Sequence, residues 1–199
     1  MSTEAIAWLN LACLHVSSFL MPVTYIRSLT PARREEVVGE RAWAEAKWQR
    51  AASNVLELVM IANVAVWIWF PVPALDWSVH ASAWVGLAAG GVIALPLAWI
   101  DLRANLDLGL EGFAPSKETR LAGGIYRYIR HPQMIGEIPL FVAGSLCINS
   151  AFLALWFLVY VCIYIPVVMH FEERDLAKRF GPAYEAYRRK TGAILPRLR

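Results

Sequence analysis

The sequence predicts an all-α, polytopic integral membrane protein. About five transmembrane helices are expected, the last two paired as a helical hairpin and followed by cytoplasmic amphipathic helices. Three observations predict this. Of 199 residues, 58% are hydrophobic and 18% charged, with a mean hydropathy of +0.44, whereas soluble domains sit nearer half apolar and a quarter charged. Several apolar stretches reach the length of about 20 residues that a bilayer crossing needs. Finally, every Lys and Arg falls in three segments between or after those stretches.

Ala5–Ile26 contains no charged side chain and reads as the first span. It follows Glu4 rather than a basic region, and Pro22 and Tyr25 make no small-residue cleavage site, so this helix is expected to stay. Thr30-Pro31 then resembles a helix start, with Pro at the first helical position. The helix that follows carries Trp43 and Trp48 among mixed charges, as an interfacial helix would. Ala51–Leu75, with Glu57 as its one charged residue, and Trp77–Ile100, with none, read as the second and third spans. Gly86-x-x-x-Gly90 in the third allows a close helix contact. His131–Met169 has Glu137 as its one carboxylate, and Asn149-Ser150 near its middle reads as the turn of a tight hairpin. Beyond it, Leu176 and Phe180, then Tyr184 and Tyr187, lie at helical spacings on either side of Gly181-Pro182. They suggest two short amphipathic helices folded back under the bundle. Cys13, Cys147 and Cys162 are scattered singly and lack metal or disulfide spacing.

Basic residues set the orientation. Six lie in Arg27–Arg50, five in Arg103–Arg130 and eight in Arg174–Arg199, which together are all 19. The positive-inside rule puts these segments in the cytoplasm and the N-terminus outside. Five spans require opposite ends, and the pattern supplies them. The net charge of +3 thus reads as orientation and attraction to membrane lipids, not as nucleic-acid binding. The expected setting is a bacterial cell membrane, with 1–199 forming one membrane-embedded domain.

Charged groups are costly in hydrocarbon, so those retained there mark function. Arg130 and His131 stand where the fourth span begins, and His170, Glu172 and Glu173 where the fifth ends. An antiparallel hairpin brings both sets to one face. Glu137 lies about two turns into the fourth span and Glu57 about two turns into the second. Asn10 and His15 in the first span read as packing or interhelical hydrogen bonds.

These residues carry a resemblance. Gly124-Ile125-Tyr126, Arg130-His131-Pro132, Gly136-Glu137 and Glu172-Glu173 resemble the signature of the membrane-embedded methyltransferases, which include isoprenylcysteine carboxyl methyltransferases and phospholipid methyltransferases. The tail "RFGPAYEAYRRKTGAILPR" is similar to the ending of that family. The likeness spans 108–197, a methyltransferase-like cofactor-binding core. It implies S-adenosyl-L-methionine bound at the cytoplasmic face, with contacts from Glu118, Thr119, Arg120, Leu121, Tyr126, His131, Pro132, Gln133, Met134 and Glu172, and a further candidate in Glu111. Arg130, Glu137 and Glu173 are the candidates for catalytic roles, and Val168 and Glu57 for facing a lipidic or small hydrophobic acceptor. No metal site is expected. Methyl transfer needs alignment and water exclusion more than a nucleophile–base triad.

Two positions depart from the family pattern. Met134 stands where a tyrosine is usual. Val168 stands where the carboxyl methyltransferases have an arginine for the substrate carboxylate, so a prenylcysteine carboxylate is not the expected acceptor. Other readings exist. "RHPQM" with Gly136 also resembles haem-binding membrane isomerases and nitric-oxide-reductase-associated proteins, with His15, His131 and His170 as candidate ligands. The tail is comparable to that of NADPH-dependent sterol reductases. A non-catalytic scaffold would leave the clustered charges unexplained.

Overall fold

A computed structural model describes residues 1–116 and 123–197. Among them the secondary structure is helical apart from two isolated bridges, Ser78 with Ser150 and Ile129 with Gly192. The helices are α1 (Thr3–Leu29), α2 (Pro31–Val38), α3 (Arg41–Trp67), α4 (Ala83–Leu108), α5 (Pro132–Gly136), α6 (Leu140–Cys147), α7 (Ala151–Phe180) and α8 (Pro182–Lys190). Three of them, α1, α4 and α7, are long and apolar enough to cross a membrane.

Several boundaries differ from the sequence reading, each for a local reason. α2 does begin at Pro31, but it ends at Gly39, whose φ of +66° breaks the helix. The chain restarts at Arg41, and α3 carries Trp43 and Trp48 straight on into the apolar stretch, so the interfacial segment and the second span are one helix. That helix stops at Trp67, short of Leu75, ahead of the prolines at 71 and 73. α4 begins at Ala83 and runs on to Leu108.

The fourth span is interrupted rather than continuous. α5 and α6 are separated by a turn at residues 137–139. Pro139 has no N–H to offer the carbonyl of Ile135, and its ring crowds that carbonyl. The hairpin turn itself lies at Asn149-Ser150. Asn149 takes φ +60°, and the Ser150 hydroxyl accepts from the Leu153 amide at 3.3 Å as N-cap of α7. α7 continues through Phe180 without a break, so the first of the two short tail helices is its own extension; Gly181 (φ +53°) then turns the chain into α8.

α1 packs on α3 and α7, while α4 packs on α5 and α6. Asn10 and Asn63 join α1 to α3, the Asn10 amide donating to the Asn63 carbonyl at 3.0 Å. Gly86 and Gly90 let α4 approach α6 closely: a Cβ at Gly90 would fall 2.5 Å from the Ala143 carbonyl oxygen. Gly136 does the same between α5 and α4, where a Cβ would meet the Asp101 amide nitrogen at 2.5 Å. Leu14, Met60, Ile138, Leu153, Phe157, Tyr164 and Val168 fill the shared interior.

Candidate functional site

The end of α7 and the start of α5 meet as a hairpin requires, and their polar groups are bonded to one another. His131, 3% exposed, places Nδ1 2.9 Å from Glu172 Oε2 and Nε2 3.0 Å from Glu173 Oε1. Carboxylates only accept, so both ring nitrogens donate and the ring is an imidazolium. Burial opposes that charge, but the field and hydrogen bonds of Glu172 and then Glu173 outweigh it and raise the His131 pKa to about 9. Arg130 donates to Glu173 Oε1 from Nη2 at 2.6 Å and Nε at 3.0 Å.

The chain after α8 is part of the same construction. Arg130 and His131 donate their backbone amides to the carbonyls of Gly192 (2.9 Å) and Ala193 (3.1 Å). Arg130 Nη1 also reaches the Thr191 carbonyl at 2.5 Å. Tyr187 in α8 donates to the Tyr126 carbonyl at 2.6 Å. Gly124 fixes the approach of this segment to α4. It has φ +58°, a Cβ there would overlap Asp107 Oδ2 at 2.1 Å, and that oxygen accepts the Ile125 amide at 2.8 Å.

A cavity opens beside these residues, with an empty volume of about 830 Å³, mouth included. Tyr25 and Ser28 of α1, Arg50 of α3, Glu172, Asp175 and Arg179 of α7, and Tyr184 and Tyr187 of α8 line it, together with Tyr126, Arg130 and Gln133. The hydroxyls of Tyr126 and Tyr184 are buried without a hydrogen-bond partner among the described residues. Burial pushes both phenols well up, so both remain protonated. Buried hydroxyls are rarely left unpaired, so these two mark a wall where a polar partner is missing.

A second cavity, lined by Glu57, Asp101 and Glu137 with Ile61, Val64, Leu140, Phe141 and Gly144, lies between α3, α4 and α6. A hydrogen-bonded chain joins the two cavities. Gln133 Nε2 donates to Asn105 Oδ1 at 2.8 Å, and Asn105 Nδ2 donates to Asp101 Oδ1 at 3.0 Å.

The structure therefore gathers Tyr126, Arg130, Gln133 and Glu172 around the first cavity, with His131 and Glu173 bonded behind them. Pro132 and Met134 are buried and do not line it. Glu57 and Glu137 stand at the second cavity, whereas Val168 is fully buried in the core and lines neither. Glu118, Thr119, Arg120 and Leu121 lie outside the described residues. The three histidines of the haem reading have separate surroundings. His15 pairs with the Leu11 carbonyl and packs on Trp156, His131 is held by two glutamates, and His170 lies near Arg174.

Sequence reasoning missed the contribution of the first half of the chain: Tyr25, Ser28 and Arg50. A signal was present, because Ala42, Ala46, Arg50 and Ser53 recur at helical spacing and form one buried stripe of α3. Asp175 was also missed. It is 1% exposed and accepts the Arg33 amide at 2.8 Å, capping α2 from α7.

Comparisons with known proteins show the family of the chain. The phospholipid methyltransferase family model matches residues 84–183. The chain is 31% identical over 165 residues to methanethiol S-methyltransferase 2 of Bradyrhizobium diazoefficiens, covering 74% of this chain and 60% of that one. It is 29% identical over 167 residues to the methanethiol S-methyltransferase of Mycobacterium tuberculosis, covering 75% and 67%. It is also 26% identical over 163 residues to that of Pseudomonas deceptionensis, covering 74% and 60%. The chain thus spans about 60% of the length of the first of these relatives. No solved structure matches it.

Proposed function

The chain belongs to the phospholipid methyltransferase family, and from that premise we propose that it transfers a methyl group from S-adenosylmethionine to a small apolar thiol at the membrane. The observation that carries this reading is the cavity itself. Its orphaned Tyr126 and Tyr184 hydroxyls and its Glu172 carboxylate suit a polar, partly cationic ligand. The matched segment, 84–183, includes Tyr126, His131 and Glu172. The relatives' names supply the acceptor class, since methanethiol is a small thiol.

The residues present fit the methyl donor. Glu172 would accept from its ammonium or ribose hydroxyls, Tyr126 and Tyr184 would donate to its acceptors, and the tyrosine rings would face its cationic sulfur. When bound, it supplies a methyl group already activated on a sulfonium. The protein's part is placement. The imidazolium of His131 holds Glu172 in one orientation, and Glu173 and Arg130 lock the same junction. Tyr184 and Tyr187 of α8 form one wall of the cavity, and keeping water off a bound ligand there would strengthen each polar contact inside.

Five crossings, with the N-terminus outside and α8 in the cytoplasm, accord with the charge pattern and belong to this proposal. The test uses purified protein in detergent with labelled S-adenosylmethionine and methanethiol. Labelled dimethyl sulfide is the expected product. Donor binding without methylation of any thiol would overturn the acceptor, and no donor binding would overturn the methyl-transfer reading.

A further inference from the structure

Three guanidinium groups line the first cavity, and they are not alike. Arg130 is paired with Glu173, and Arg179 with Glu111 at 2.8 Å. Arg50 is 5% exposed, yet among the described residues it has no carboxylate partner. Its contacts are the Ser28 hydroxyl at 2.9 Å from Nε, the Gly112 carbonyl from Nη1, and the face of Tyr25, 4.8 Å from its guanidinium carbon. A buried charge held only by neutral groups is costly, and proteins keep one where an anion arrives to meet it. Arg50 is thus the uncompensated cation of this wall.

We propose that Arg50 is the anion-binding group of an acceptor subsite, with Tyr25 and Ser28, and that it binds the acceptor's sulfur as a thiolate. The proposal rests on the methyl-transfer reading and deepens it. Two arguments favour the acceptor over the donor's carboxylate. Arg50, Tyr25 and Ser28 lie outside the segment matched by the family, 84–183. A donor common to the family is held mainly by the common segment and by α8 directly after it, whereas the wall that α1 and α3 supply is free to be particular to this chain. Chemistry gives the second argument. A thiol is a poor nucleophile until it loses its proton, and a neighbouring guanidinium lowers the pH at which it does so. The step balances as follows. The thiol S–H releases its proton to water at the cavity mouth. A thiolate lone pair forms the new S–C bond, and the C–S bond of the sulfonium breaks with its electron pair left on the donor's sulfur.

Other charges face Arg50 and bear on this step. Tyr25 of α1, whose ring Arg50 faces, also feels the carboxylates Glu137, Glu172 and Glu57, and Glu137 feels the charge of Arg50 as well. Asp175 and Arg179 of α7 stand across the cavity, where the Arg33 amide and Glu111 already hold them.

The experiment compares wild type, Arg50→Lys and Arg50→Gln, each first shown to unfold cooperatively in detergent. Calorimetry of S-adenosylhomocysteine binding comes first, then of ethanethiol binding to the loaded protein in buffers of different ionisation enthalpy. Wild type should release about one proton per thiol bound, as expected for capture of the thiolate. Arg50→Gln should release none and lose about 10–100-fold in kcat/KM for methanethiol, the cost of a charged hydrogen bond. Arg50→Lys should keep the proton release, and all three should bind S-adenosylhomocysteine alike. A fall in S-adenosylhomocysteine affinity for Arg50→Gln would mean that the anion is the donor's carboxylate and would overturn the assignment. So would unchanged thiol kinetics and proton release in Arg50→Gln. If wild type itself bound the donor product yet methylated no thiol, the acceptor reading beneath the proposal would fall as well.

Discussion

Tyr187 donates to the backbone carbonyl of Tyr126 across 61 residues of sequence, at 2.6 Å. That bond ties α8, which lines the cavity, to the segment before α5, while the nearby Tyr184 hydroxyl is buried with no partner among the described residues.

The first prediction follows from that orphan. Tyr184→Phe removes a donor that the free protein does not use, so thermal stability should hold or rise slightly. Affinity for S-adenosylhomocysteine should fall by about 0.5–1.5 kcal/mol, the worth of one hydrogen bond. Calorimetry beside a melting curve reads both. Equal affinities would mean that the hydroxyl does not meet the ligand.

The junction should be sensitive to alkali. The His131 pKa is raised in the fold to about 9 from an ordinary value of 6.5. A raised pKa contributes stability that is complete below about pH 6.5 and is lost as pH rises through about 9. Melting temperature in detergent should decline across that window, and the decline should flatten in His131→Gln. An identical pH profile in the two proteins would refute the imidazolium.

Gly124→Ala should be among the costlier small substitutions in the chain. It forces an L side chain to φ +58° and drives a methyl into Asp107. The expected loss is roughly 1–3 kcal/mol by melting. Asp107→Ala in the same background would relieve the overlap and recover only part of it, since the backbone strain remains.

Neighbouring glycines of α4 offer an internal control. A Cβ at Gly90 meets α6 backbone, whereas one at Gly91 meets nothing within 4 Å. Gly90→Ala should destabilise by about 1–3 kcal/mol through overpacking. Gly91→Ala should be neutral or gain up to about 1 kcal/mol from helix propensity.

Orientation is checked with reporters. One fused at Met1 should read external and one fused after residue 197 cytoplasmic, as the positive-inside pattern requires. Both on one side would refute five crossings.

Much of the architecture was legible because hydrophobic length and the confinement of basic residues are strong signals. The hairpin turn at Asn149-Ser150, the start at Pro31 and the close approach at Gly86 and Gly90 all follow from local chemistry. Less legible were continuities. Nothing in the composition says that α3 runs from mixed charge into hydrocarbon as one rod, or that α7 outlasts its apolar stretch by a further 11 residues. Pro139, by contrast, was visible, and its missing N–H predicts the break that the hairpin reading passed over. The site divided in the same way. Arg130, His131 and the glutamate pair could be found from their cost in an apolar run. Arg50 sat at a boundary where a cation needs no explanation, and its buried position emerged only once the face of α3 was known.

The bridge between Ile129 and Gly192 bears on how the molecule is made. Residues near 130 leave the ribosome some 60 positions ahead of the segment that caps them. A chain is synthesised from its N-terminus, so the helices can be inserted and packed while the amides of Arg130 and His131 still face water. The cavity therefore cannot be finished before the segment around Gly192 has been made. It is completed afterwards, when the segment around Gly192 emerges and docks. Completion of that wall then depends on a segment made late, and a chain stalled before residue 191 would lack the partners of both amides.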